Sequence, residues 1–167
     1  MAKYTNDPLL VKRTARFSRC RSYRYTLDII WDERLPMAAF IGLNPSTADE
    51  YQDDPTVRRC RGFAESLDCG GMRMLNLFAY RATLPADMKA QADPVGAGNR
   101  LGRLLQSITG PRIACWGTHG SHTGRGHRVS VQLGGVGLHC LGLNADGSPK
   151  HPLYLRGDSR LQPYRNC

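Results

Sequence analysis

No CxxC pair occurs among the six cysteines, at positions 20, 60, 69, 115, 140 and 167, and no hydrophobic signal segment precedes them. A secreted disulfide framework is therefore not expected, and reduced thiols in a cytoplasmic protein are. Their irregular spacing also argues against an iron–sulfur cluster, which takes four thiolates. Cys60, Cys115 and Cys140 fall within apolar patterns and read as small core residues. No apolar run approaches the ~20 residues needed to span a bilayer, so no membrane association is expected. Internal repeats and low-complexity segments are missing as well. Acid is the scarce charge, with 14 Asp+Glu against 23 Lys+Arg, a net charge of +9 and a sequence pI of about 9.6. That excess favours polyanionic partners through long-range attraction and counterion release. Nucleic acid thus stands beside the plainer reading of a basic soluble protein. A chain of 167 residues buries roughly 70% of its unfolded surface around one core, so one domain, expected as a monomer without a cofactor, is the natural unit.

Residues 1–20, with Lys3, Lys12, Arg13, Arg16 and Arg19, show little periodicity and read as a basic N-terminal arm ahead of a single domain over 21–167. From Tyr23 to Trp31, apolar side chains alternate with Arg24, Thr26 and Asp28, the period of a half-buried strand. Met37 to Leu43 is apolar throughout, as in a strand covered on both faces. Asp54-Pro55 then opens a helix, with Asp as N-cap and Pro at the first helical position. Val57, Cys60, Phe63, Ala64 and Leu67 form its buried stripe, and Gly70-Gly71 ends it. Further apolar segments lie at Met72 to Phe78, Ile113 to Trp116 and Leu138 to Leu143. Helical patterns fall at Asn99 to Ile108 and near Arg125 to Leu133. Strands and helices alternate, which predicts an α/β fold with a mostly parallel central sheet and helices on both faces.

In such sheets, sites form beyond the carboxyl ends of the strands. The residues found there are Gly42, Leu43, Asn44, Pro45 and Ser46, then Asn76, then Trp116 to His119, then Asn144 and His151 to Leu155. Two amides and two histidines thus converge among Arg81, Arg125, Arg128 and Arg156. Taken singly, each has a structural explanation: Asn44 as a turn former, Ser46 with Asp49 as a capping box, Asn76 as a satisfied polar group. Their order along the chain is what points to a site.

The ordered set "GLNPS" (42–46), "MLN" (74–76), "CWG" (115–117) and "HPLYL" (151–155) resembles the uracil-DNA glycosylase superfamily. The wider pattern, with "DDPTVRRC" and "NLFAYRAT", resembles a family of small bacterial and phage proteins. The first resemblance implies a three-layer α/β/α fold around a four-stranded, mostly parallel sheet. It implies a DNA glycosylase that flips a pyrimidine out of DNA, single- or double-stranded, for repair. Asn44 matches the position that holds water, and as an amide it orients water without being a strong base. Asp49, Asp53 or Asp54 is a candidate for the missing base, against the alternative of helix capping and turn solvation. Asn76 matches the amide that reads the Watson–Crick edge. His151 matches the histidine that hydrogen-bonds the base O2 as charge develops there. Gly42, Leu43, Ser46 and His119 would complete the base pocket. Leu153 and Tyr154 would wedge the stack open, with Arg81, Arg125, Arg128 and Arg156 on the DNA.

Two departures qualify the resemblance. Where strict uracil enzymes carry a bulky Tyr after the first-motif Pro, this chain has Ser46, which leaves room at the pyrimidine 5-position. Leu153 stands where the late motif usually has Ser, which weakens the implied backbone contact. The cluster His119, His122 and His127 near Cys115 lacks paired-ligand spacing and reads as a basic, glycine-rich loop rather than a metal site. Two other functions stay open: a reader of a modified base that does not cut, and an enzyme on a nucleotide-like small molecule.

Overall fold

The computed structural model describes residues 11–165. The strands are β1 (Lys12–Phe17), β2 (Arg24–Ile30), β3 (Met37–Gly42), β4 (Gly71–Asn76), β5 (Arg112–Ala114), β6 (Leu138–Cys140) and β7 (Gln162–Pro163). The helices are α1 (Pro55–Ser66), α2 (Pro85–Lys89), α3 (Leu101–Leu104) and α4 (Arg125–Leu133). Short 3-10 segments at Thr118–Gly124 and Pro152–Tyr154 complete the frame of the site.

All seven strands form one sheet in the order β1-β2-β4-β3-β5-β6-β7. The expected four-stranded, mostly parallel sheet in a three-layer α/β/α sandwich is therefore corrected to a seven-stranded mixed sheet with few helices. The pairs β1-β2, β2-β4 and β6-β7 are antiparallel, and β3-β4, β3-β5 and β5-β6 are parallel. The difference arises at the edges. Lys12–Phe17, expected within a basic arm, alternates exposed and half-buried side chains as a marginal strand; its charged residues hide the period from a hydrophobic reading. Residues 1–10 of that arm lie outside the described residues. The expected helix over Asn99 to Ile108 shortens to the single turn of α3, which holds Gly102, a weak helix former.

Two apolar clusters hold the sheet. Val57, Cys60, Phe63 and Ala64 of α1 pack with Leu27, Ile29, Phe40 and Met72 in one. Leu101, Leu104, Val129 and Leu133 of α3 and α4 pack with Ile41, Leu75 and Trp116 in the other. Asp28 of β2 lies opposite Arg73 of β4 and takes a two-pronged ion pair from it, Nε–Oδ1 2.7 Å and Nη2–Oδ2 2.6 Å. The parallel register sets Gly42 opposite Asn76. Cys115 continues from β5, donating its amide to Ile41 O at 2.9 Å. The carboxyl ends of β3, β4 and β5 therefore finish side by side, and the site lies there.

Candidate active site

A cavity of about 850 Å³ opens beyond these strand ends. It is lined by Gly42 to Thr47 from β3, Asp54 to Val57 from the start of α1, Asn76 from β4, Trp116 to His119 after β5, and His151, Leu153 and Tyr154 from the late 3-10 turn. Of the residues expected at a site, Gly42, Leu43, Asn44, Ser46, Asn76, His119, His151, Leu153 and Tyr154 come together in it. Asp49, Arg81, Arg125, Arg128 and Arg156 lie outside the lining.

Asn44 is held in one orientation. Its Nδ2 donates to Ala82 O at 2.8 Å and to Pro45 O at 3.2 Å. Both acceptors are carbonyls, which settles the amide's orientation and leaves Oδ1 as an acceptor for water. Asn76 is the converse. It is only 4% exposed, and its Nδ2 has no hydrogen-bond partner among the described residues. A buried donor left unmade costs about 1–3 kcal/mol, so this amide is poised for an acceptor on a ligand. Gly42 gives it room: a Cβ there would lie 3.0 Å from Asn76 Oδ1.

His151 Nδ1 accepts the amide N–H of Leu153 at 3.3 Å. That bond selects the neutral tautomer with hydrogen on Nε2. Burial pushes its pKa down, opposed by the charge of Asp54. Below the ordinary histidine value of ~6.5 the unfolded chain takes up the proton before the folded one does, so this group makes the fold lose stability as pH falls through that window. If the neutral Nε2–H acts on the ligand, activity holds below pH ~6.5 and falls only as pH passes through the lowered pKa. A pH–rate profile with its acid limb at or above ~6.5 would contradict that role.

Among the described residues, Asp54 is the only carboxylate in the lining. One oxygen caps α1 by accepting from Val57 N at 2.8 Å, and the other accepts no hydrogen bond from the described residues. Asp49 instead closes its own turn, accepting from Tyr51 N and Gln52 N at 2.8 and 2.9 Å, which hold its pKa down. Asp53 is paired with Arg13 at 2.7 Å. Tyr154 and Leu153 are exposed at the rim, Tyr154 at 82%, and the Tyr154 ring centroid lies 6.0 Å from that of His151.

The expected DNA-contacting arginines each make a contact within the protein. Arg125 Nε donates to Leu77 O at 3.2 Å and Arg128 Nη1 to Thr123 O at 2.6 Å. Arg156 pairs with Asp158 at 3.1 Å on the surface, and Arg81 lies over the Phe17 ring. His119 Nδ1 faces Lys89 Nζ at 3.1 Å, and His122 packs against Phe78. Among the described residues, no group of three or more His, Cys, Asp or Glu side chains gathers to hold a metal, and no helix is long and apolar enough to cross a membrane.

The lining also contains a residue that sequence reading passes over. Arg24 occupies a polar position in the alternation of β2 yet is 2% exposed and faces the cavity. Nothing in the local pattern signals it; its Nη1 reaches Ala48 O, 24 residues further along the chain.

Residues 24–153 match the family described as protein of unknown function (DUF1643). The chain belongs to the DUF1643 family. That match begins at Arg24 and ends at Leu153, so the cavity lining other than Tyr154 falls within the stretch that defines the family. No curated protein and no solved structure matches the chain.

Proposed function

We propose that this DUF1643 protein hydrolyses the N-glycosidic bond of an altered or 5-substituted pyrimidine in DNA. The observation that carries the reading is the buried, unpartnered Nδ2 of Asn76 in the same cavity as Asn44, Asp54 and His151. Asn76 donates to an acceptor on the Watson–Crick edge of a flipped base. His151 Nε2–H donates to the base O2. Both donors gain strength as the C1′–N1 bond breaks and negative charge passes to the departing base. Asn44 Oδ1 orients a water towards C1′, and the free oxygen of Asp54 takes its proton as the C1′–O bond forms. The resemblance of the ordered motifs to those of the uracil-DNA glycosylase superfamily supports the same assignment of roles. The net charge of +9 suits a polyanionic substrate, and the exposed Leu153 and Tyr154 suit a wedge at the base stack.

Ser46 sets the specificity. A small side chain in the lining leaves space at the pyrimidine 5-position. Ser46→Tyr is expected to lower kcat/KM roughly tenfold or more on 5-hydroxymethyluracil and on thymine opposite guanine, while leaving uracil release within about threefold. Chromatography of the free base released from oligonucleotides carrying each lesion tests both the activity and this preference. Equal losses on all three bases would refute the role of Ser46, and no base released by wild type from any of them would refute the proposed reaction.

A further inference from the structure

Arg24 is a buried cation with no ion-pair partner among the described residues. Its amide N–H is fixed to Ala79 O at 2.9 Å, and the residue is part of the cavity lining. The single hydrogen bond of its guanidinium to described residues runs from Nη1 to Ala48 O at 2.5 Å, and Nε is buried with no partner. No described carboxylate comes within salt-bridge distance of it. The charged groups that face it are Asp54 and Asp49, which attract, and Arg81, which repels; burial outweighs them and pulls its pKa down to about 10. Proteins keep buried charges paired or use them to bind. A guanidinium presents a planar fork of donors that suits the two oxygens of a carboxylate or phosphate. Arg24 is only 2% exposed, so the anion it takes has to enter the cavity with the ligand.

We propose that Arg24 is the anion-recognising residue of the cavity, and that the pyrimidine ligand carries a terminal anionic group, a carboxylate on the base or a phosphate monoester, that engages its guanidinium. The inference rests on the reading of the cavity as a pyrimidine site and goes beyond it in naming the charge of the ligand. It also makes Arg24 a specificity residue. Asp54 shares the lining and opposes an anion, so a preference for an anionic ligand is expected to come chiefly from Arg24 and to fall when it is replaced.

The test is equilibrium binding by calorimetry, which needs no cleavage. Wild type, Arg24→Met and Arg24→Lys are titrated with 5-carboxyuracil, uridine 5′-monophosphate, and the neutral compounds uracil and uridine. Wild type is expected to bind one anionic compound roughly tenfold or more tighter than its neutral counterpart. Preference for 5-carboxyuracil over uracil places the anion on the base; preference for the monophosphate over uridine places it on the terminal phosphate. Arg24→Met removes an unpaired buried charge, so it is expected to fold and to lose the preference; should it fail to fold, Arg24→Lys, which keeps charge but not the fork, is expected to lose most of it. Equal binding of anionic and neutral compounds by wild type, no binding of either anionic compound, or a preference that survives in both variants would overturn the proposal. Base release from neutral lesions without anion preference would overturn it alone, whereas anion preference without base release would overturn the hydrolytic reading alone.

Discussion

Asn44→Asp is expected to lose activity, about tenfold to a hundredfold in kcat, although a carboxylate is the better base. The reason lies in the two bonds that hold the amide. Nδ2 donates to Ala82 O and Pro45 O, and a carboxylate at that point would set an anionic oxygen against two carbonyls. Electrostatic repulsion would turn the side chain away from the water position and cost about 1–3 kcal/mol of stability at neutral pH. The introduced carboxyl would have a raised pKa in the folded state. The penalty is therefore present above that pKa and shrinks as pH falls through it, because the protonated form restores one donor. Chemical denaturation at two pH values, run beside single-turnover base release, checks both parts. A gain in kcat would show that Asn44 is merely an enfeebled base, and the role of its fixed amide would have to be abandoned.

Asn76→Ala separates function from stability more sharply. Asn76 is buried, but its side-chain donor makes no bond, while its backbone carbonyl keeps the bond from Asn99 Nδ2 at 3.0 Å. Removing the amide therefore deletes a liability and leaves the strand's own contacts intact. Stability is expected to stay within about 1 kcal/mol of wild type. Activity is expected to fall at least ~100-fold in kcat/KM, the equivalent of about 2.7 kcal/mol of transition-state stabilisation. Thermal denaturation and steady-state kinetics on the same preparation decide the matter. A variant that unfolds but retains its specific activity would mark Asn76 as a structural residue.

The parts of the fold visible in the sequence are those whose local chemistry agrees with their final surroundings. Asp54-Pro55 announces α1, and Asp54 does cap it through Val57 N. The stripe of Val57, Cys60, Phe63 and Ala64 is buried as its spacing implies, and Phe63 belongs to the core rather than to the cavity. The edges behave differently. β1 is built from KRTARF, whose charges suit an edge strand and conceal its two-residue period, while β7 is only two residues long. Sheet size and strand direction depend on those long-range pairings, which explains why alternating elements pointed to a smaller, mostly parallel sheet.

Within the site, the residues at parallel strand ends were legible because strand ends in register collect side chains regardless of their distance along the chain. Arg24 was not, because its burial and its bond to Ala48 O are set by the tertiary fold rather than by its neighbours in sequence. The rim arginines were visible only as charge. Leu77 O and Thr123 O occupy two of them in the fold, a bond that composition cannot reveal. The acidic turn sorts in the same way. Asp49 and Asp53 serve the turn and Arg13, and Asp54 alone reaches the cavity.

Alkaline strand cleavage of end-labelled oligonucleotides decides whether the cavity breaks a glycosidic bond. Single- and double-stranded substrates carry uracil, thymine opposite guanine, or 5-hydroxymethyluracil, and wild type is compared with Asn44→Ala and His151→Ala. Wild type is expected to leave alkali-labile sites at the altered pyrimidine, reduced at least ~100-fold in both variants while their folding is retained. Folded wild-type protein that leaves every strand intact, or cleavage undiminished in both variants, would contradict that expectation.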